Sequence, residues 1–409
     1  MRNPTRTAWW VLPLSLLTFT NCLSYRYFPD WDEQGAFNQM MVRELPPLPR
    51  HTLAFAQPSI GAEVESIGTP RWGTQTETSL ALTLPIGPGQ PIQCTLYFNR
   101  LDAAAEISRI ESAWKRSVQL ISLTPTHVAV AGEMPLLFVN MIYRSDHRSA
   151  DSEQLGHLNI MVSSSEGRSL TCLLNELGYL QTFRRITQGL ATSLRVASNE
   201  PASEFDFSTI EVLKLNSAAV GYIQTDAVRE GDNLIFHSYA SAVFPATENH
   251  LATRDRALTE WSDAQGELTE MEYTEKEEDN IVLQGNLHRD AERRYSVQGT
   301  SRGKVFENVL PAGRSVWGFP HEREQIKEKL LNGSETSLSF EVFAPFSSTQ
   351  QLLDVSLTRD RKNFHRLRYR ALDFRLDIEV DDDAIPLRTE SVLPRGKFTT
   401  ERLFPRPGG

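Results

Sequence analysis

Alternation of apolar and polar residues dominates the chain. Leu80, Leu82, Leu84 and Ile86 alternate with polar or small neighbours, a period that sends every second side chain to one face of a strand. Gly87-Pro88-Gly89 then turns the chain into a second run, Ile92, Cys94, Leu96 and Phe98. Leu170, Cys172 and Leu174 repeat the pattern, and Val128 to Val130, Leu136 to Tyr143 and Leu158 to Val162 read as further strands. Helical spacing appears twice. Ile107, Ile110, Trp114 and Val118 fall three to four residues apart, and Leu177, Leu180, Phe183, Leu190 and Leu194 stripe the segment from Leu173 to Val196. Strands with one helix in the middle and one at the end predict an α+β sandwich over residues 53–197.

Residues 198–209 are polar, carry Pro201 and read as a linker. Beyond them, residues 210–393 are rich in strands. Gly221-Tyr222-Ile223 runs to a turn at Glu230-Gly231-Asp232-Asn233, and the return strand alternates through Leu234, Phe236, Ser238, Ala240, Ala242 and Phe244. Pro320 suits a first helical position, Glu322 and Glu324 suit the positive end, and Asn332-Gly333 stops the helix. The expected form is an antiparallel β half-barrel with one crossing helix, followed by a flexible tail at 394–409. Its concave face draws on Phe236 and Phe244 from an early strand and on Phe340, Val342, Phe374, Leu376 and Ile378 from later ones. Two readings stay open there: a vacant groove that accepts an apolar ligand, or a filled core.

The first twenty-two residues have a different pattern. Arg2 and Arg6 precede an uncharged, largely apolar run from Ala8 to Phe19, which has the length of a signal peptide and leads through Thr20 and Asn21 into Cys22. This segment resembles the lipobox of bacterial lipoproteins. The resemblance implies that Cys22 carries lipid and anchors an exported protein to a membrane of the cell envelope, in the periplasm or at the outer membrane. The sequence departs from the family at Phe19, where Leu is preferred, and at Asn21, where a small residue is preferred. Cleavage after Thr20, giving a soluble secreted protein, is the competing reading. Residues 23–52, with Leu45-Pro46-Pro47-Leu48-Pro49, read as an extended tether.

There are three cysteines. With Cys22 lipidated, Cys94 and Cys172 remain, each on the apolar face of a strand. A disulfide between them would stabilise the domain by about 4 kcal/mol in the chain-entropy model. Two reduced core cysteines are the alternative.

The formal net charge of −10 argues against a nucleic-acid partner, because a phosphate backbone demands a basic face. Part of the acidity is concentrated in Glu270 to Asp279 and in Asp377 to Asp383, read as solvated strand edges and turns. Asp381, Asp382 and Asp383 lack the alternate spacing and the glycine of a calcium loop. Gly299-Thr300-Ser301-Arg302-Gly303 fits Gly-x-Ser-x-Gly, but the nucleophile elbow needs a helix after the serine, and Lys304 to Val309 continues as a strand. The nine histidines are scattered without zinc-ligand spacing. Arg366, Arg368 and Arg370 alternate as a basic stripe, read as a solvated face, with contact to an anionic lipid or glycan as the alternative. No metal, cofactor or catalytic group is expected.

Two further resemblances carry expectations. Leu170 to Tyr179, followed by Phe183 and a helix, looks like the end of a PsbP-like domain, which implies an accessory or interaction module. Val220-Gly221-Tyr222, the turn Asp263-Ala264-Gln265-Gly266, the helix after Pro320 and Val380-Asp381-Asp382-Asp383 resemble the β-rich domain of exported bacterial proteins that often precedes a transglutaminase-like domain. That domain looks like the half-barrel of lipoprotein-carrier proteins, whose concave face accepts acyl chains. No cysteine follows Cys172, so a transglutaminase-like nucleophile is missing. The reading is a non-enzymatic envelope lipoprotein that binds an apolar or lipid ligand. The alternative is an accessory subunit that binds protein partners in an envelope assembly.

Overall fold

The computed structural model describes residues 41–54, 60–87, 89–145, 155–196, 205–231, 233–247, 250–310, 316–371, 374–393 and 396–406. In chain order the first half comprises β1 (Arg50–Ala54), β2 (Ile60–Glu65), β3 (Arg71–Gln75), β4 (Ser79–Leu84), β5 (Ile92–Tyr97), helix α1 (Ala103–Trp114), β6 (Val118–Ala131), β7 (Met134–Ser145), β8 (Leu155–Ser165), β9 (Arg168–Asn175), helix α2 (Leu180–Ser193) and the short β10 (Arg195–Val196). The second half opens with β11 (Phe205–Leu215), β12 (Ala218–Glu230), β13 (Asn233–Thr247), β14 (His250–Ser262), β15 (Leu268–Glu277), β16 (Asn280–Arg289), β17 (Tyr295–Ser301) and β18 (Lys304–Leu310). Helix α3 (Phe319–Gln325) follows and runs on as a π-helical turn, Ile326–Leu331. The chain continues through β19 (Ser337–Phe343), β20 (Leu352–Arg359), β21 (Arg366–Ala371), β22 (Phe374–Val380), β23 (Pro386–Leu393) and β24 (Gly396–Arg406).

These strands form three antiparallel sheets. A seven-stranded sheet has the order β3-β4-β5-β9-β8-β7-β6, and a three-stranded sheet the order β1-β2-β10. The fourteen-stranded sheet consists of two meanders, β11 to β18 and β24 back to β19, joined where β11 pairs with β24. Tight turns hold the hairpins. Asn216-Ser217, Glu278-Asp279 and Arg302-Gly303 each place two consecutive residues at positive φ, the geometry that matches the twist of the flanking strands. Gly285 and Gly299 sit opposite one another on β16 and β17. A Cβ on Gly299 would meet the Phe306 ring at 2.8 Å, and one on Gly285 the Tyr273 hydroxyl at 2.5 Å. The missing side chains let both rings lie against the backbone.

The large sheet curls over on itself. Phe244 of β13 shares a core with Phe340 of β19, Tyr369 of β21 and Leu376 of β22, strands far removed from β13 in the sheet order. The seven-stranded sheet is covered on one face by α2 together with β1 and β2, through Phe183, Ile186, Leu190 and Val64. Its other face packs on α1 and on the outer wall of the large sheet, where Val212, Tyr222, Val243 and Leu251 join Ile107 and Leu137. The two halves therefore share an apolar core.

The expected α+β sandwich followed by a half-barrel with one crossing helix is overturned. The described residues hold twenty-four strands and three α-helices, so the fold is mostly β. The helical stripes were shorter than read. The segment from Leu173 begins as the end of β9, and α2 starts only after Tyr179, which stands at φ 60. Val118 opens β6 instead of extending α1. Helix α3 spans 7 residues and lies against the concave side of the large sheet, where Phe319 stacks on Phe236 at 4.6 Å.

The stretches read as an extended tether and as a flexible tail are structured where described. Glu44 accepts hydrogen bonds from the backbone N–H groups of Gln181 and Thr182, at 2.8 and 2.7 Å, and so caps α2. Leu45 and Leu48 pack on the same core, within the residues read as a tether. Residues 396–406, read as a flexible tail, form β24 between β11 and β23. No described helix is long and apolar enough to cross a membrane.

Candidate functional site in the curved sheet

The alternation along β11 to β14 decides what lines the concave face. Phe207, Thr209 and Glu211 of β11, Phe236, Ser238 and Ala240 of β13, and Arg256, Leu258 and Glu260 of β14 line one cavity of about 50 Å³, with Phe319 of α3, Phe346 and Ile385. The opposite faces of the same strands carry Tyr222, Val243 and Asp255 toward the first half. One end of the cavity wall is aromatic: the Phe207 and Phe319 rings lie 6.1 Å apart, with the Phe236 ring against both.

Charged side chains are buried in this wall. Arg256 is 4% exposed; its Nε and Nη2 donate to Glu275 Oε1 at 2.8 and 2.5 Å, and its guanidinium stands 4.8 Å from the Phe346 ring centre. Its Nη1 has no hydrogen-bond partner. Leaving a buried donor without an acceptor costs about 1–3 kcal/mol. Burial, opposed by the Glu275 charge, lowers the Arg256 guanidinium to about 10. Glu260 accepts a hydrogen bond from the Phe319 N–H at 2.8 Å, and burial pushes its carboxyl up to about 7. Glu211 accepts from the Thr400 hydroxyl at 2.5 Å, and burial again raises it to about 7. Burial and the neighbouring Glu260 raise Glu322 of α3 to about 8. The cavity thus combines an aromatic wall, carboxyls that hold protons near neutral pH and a guanidinium with one free donor.

Of the seven residues expected on the concave face, the structure brings six together. Phe244, Phe340, Val342, Phe374, Leu376 and Ile378 belong to one packed core with Ile326 and Leu330 of the π-helical turn. Phe340 stacks on Trp317 at 5.1 Å. Phe236 lies apart from them and lines the cavity. Cys94 and Cys172 face each other across β5 and β9 and form a disulfide, with their Cα atoms 4.0 Å apart. Cys22 lies outside the described residues.

The sequence pattern does not single out Glu211, Arg256 or Glu260, and it places Glu322 at the positive end of a helix without indicating that the residue is buried, 3% exposed. A signal was present. Arg254 and Arg256 sit two apart on β14, and Glu277 and Glu275 sit opposite them on β15. Such complementary pairs in two halves of a hairpin mark a paired face, and here Arg256 and Glu275 are buried while Glu277 beside Arg254 is half-buried. The acidic run from Glu270 to Asp279 is therefore in part an interior feature.

The other motifs resolve locally. Ser301 ends β17, and Arg302-Gly303 forms the turn into β18, so a strand and not a helix follows the serine. Asp381 accepts from the backbone N–H groups of Asp383 and Ile385 and from Arg402 Nη1, while Asp383 pairs with Lys327. No group of three potential metal ligands occurs among the described residues.

No family model matches the chain, and no curated protein matches it. Among solved structures, the chain is similar to a β-barrel-like protein of a domain of unknown function, DUF1849, from Brucella abortus. The likeness has 10% identity and a TM-score of 0.39, over 50% of this chain and 98% of that one. It is also similar to a protein from Bacteroides thetaiotaomicron at 8% identity and a TM-score of 0.23, over 44% of this chain and 54% of the other.

Proposed function

We propose that this chain is a non-enzymatic binding protein of the bacterial cell envelope, tethered through Cys22, whose curved sheet holds an apolar ligand beneath α3. The observation that carries the ligand reading is the cavity between the aromatic residues of β11 and β13 and Phe319 of α3. Aromatic walls supply apolar surface in well-defined orientations, and the few polar groups among them fix how a ligand lies. The motive for the tether is the apolar run ending at Cys22.

One experiment addresses each part. An environment-sensitive fluorescent fatty acid should bind the purified chain saturably, and Ala240→Leu, which fills the cavity, should weaken it at least about tenfold. Absence of any saturable binding by the folded chain would end the ligand reading. For the tether, Cys22→Ser should move the protein from the membrane to the soluble fraction and abolish metabolic labelling with a fatty acid. Labelling that persists in the variant contradicts lipidation.

A second reading has its own support. Six of the seven concave-face residues are packed against each other and under the π-helical turn, which is how a filled core is built. A sheet filled in this way serves as a rigid interaction module, and a stable protein partner recovered without any bound apolar ligand would favour it.

A further inference from the structure

We propose that the cavity takes the carboxylate end of an apolar acid, received by Arg256 Nη1, with the first carbons of the acid against Phe236 and Phe346. The inference rests on the ligand reading above and adds the chemistry of the ligand's polar end.

Three observations support it. First, Arg256 is nearly fully buried and lines the cavity, yet one of its terminal nitrogens has no acceptor. A guanidinium nitrogen seeks a carboxylate or phosphate oxygen, and a charge-assisted bond of this kind is stronger than one between neutral groups. Second, a cavity of about 50 Å³ exceeds the space that one water needs and suits a group of a few heavy atoms. A carboxylate with one or two methylenes fits that description; a glycerophosphate does not. Third, the remaining charges favour a single negative charge over two. Glu211 and Glu260 line the cavity, Glu260 raises the carboxyl of Glu322, and Glu275 pairs with both Arg256 and Arg254. While Glu211 and Glu260 hold their protons they do not repel an anion and can donate to it. A dianion would meet one free donor and several carboxyls. A cation would meet the Arg256 guanidinium.

Two sources share this chemistry: a free short-chain acid, and the head of a long-chain fatty acid whose tail extends beyond the cavity. Dodecanoate, dodecanol and butyrate separate them. Calorimetric titration of the purified full chain at about pH 6 should show dodecanoate binding at least about tenfold tighter than dodecanol, which has the same tail without the charge. Arg256→Met combined with Glu275→Gln removes the donor and its internal partner together and should erase that preference while apolar binding remains. If the double variant fails to fold, Ala240→Leu retains both charges and fills the cavity, and it should lower dodecanoate affinity at least about tenfold, to that of dodecanol. Competition between butyrate and dodecanoate assigns the site to short acids; binding of dodecanoate without such competition assigns it to the head of a long-chain acid. Equal affinities of dodecanoate and dodecanol for the native chain overturn the carboxylate proposal and leave the apolar-ligand reading standing. Failure of all three probes to bind overturns both.

Discussion

The Oδ2 atom of Asp255, on β14 of the large sheet, accepts a hydrogen bond from the backbone N–H of Ala105, in the first turn of α1, at 2.8 Å. Its Oδ1 accepts from Ala104 at 3.1 Å and from the Ser241 hydroxyl at 2.5 Å. The residue at the helix's own N-cap position, Asp102, makes no capping bond and pairs with Lys276 of β15. The second half of the molecule thus caps a helix of the first. Asp255→Ala removes the cap and leaves buried donors without an acceptor, so it should cost about 2 kcal/mol or more. Asp255→Asn keeps one acceptor and should cost less. Urea unfolding measures both, and an unchanged midpoint in Asp255→Ala would count against this coupling.

The interior carboxyls predict how stability depends on pH. Burial holds Glu211 and Glu260 at about 7, and Glu322, with Glu260 beside it, at about 8, against an ordinary value of 4.5. Between those values the folded chain keeps protons that the unfolded chain has released. The contribution of these three carboxyls to stability is therefore full below about pH 4.5 and is lost as pH rises through 7 to 8. Unfolding free energy should drop by on the order of 2 kcal/mol or more from about pH 5 to about pH 9, and Glu211→Gln should flatten the curve. A stability that rises across that window would contradict the buried-acid reading.

Phe340 tests which part of the concave face is core. It is buried, packs among Val342, Phe374 and Leu376, and stacks on Trp317. Truncation to alanine should cost about 3–5 kcal/mol. The same change should leave ligand affinity in the surviving folded fraction within about twofold, because the ring does not line the cavity. Affinity that falls more steeply than stability would place the ligand on the Phe340 side instead.

The Cys94–Cys172 bridge closes a separation of 78 residues. Cys94→Ala with Cys172→Ala should lower stability by about 4 kcal/mol in the chain-entropy model. Peptide mapping without reduction tests the bond itself, and two freely alkylated thiols in the unfolded native chain would show it absent.

Strand content was legible wherever alternation was apolar. Leu80 to Leu84 and Ile92 to Tyr97 are β4 and β5, and Leu234 to Phe244 lies within β13. Two physical effects hid the rest. On β14, the residues facing the cavity are Arg256, Leu258 and Glu260, so the inner face is marked by paired charge and not by hydrophobicity. The partner of an edge is set by contacts far away in sequence: nothing near Phe398 or Thr400 indicates that they pair with Leu215 and Leu213. Helix ends were misread for a local reason. Leu173, Leu174 and Leu177 carry the leucine run on from strand into helix, and the positive φ values at Gly178 and Tyr179 break it.

The pairing of β11 with β24 has a consequence in time. Each meander can close by hairpins between neighbours in sequence, but Glu211 and Thr400, which meet at the junction, stand 189 residues apart. Such a contact carries the largest loop-closure entropy in the sheet, and topologies dominated by distant pairings assemble slowly. Until β24 arrives, β11 and β23 each present an open edge in what will become the middle of the sheet. The strand read as a flexible tail is thus the step that ends the vulnerable phase of folding, and a chain lacking it would persist as two unjoined meanders prone to pairing with other chains.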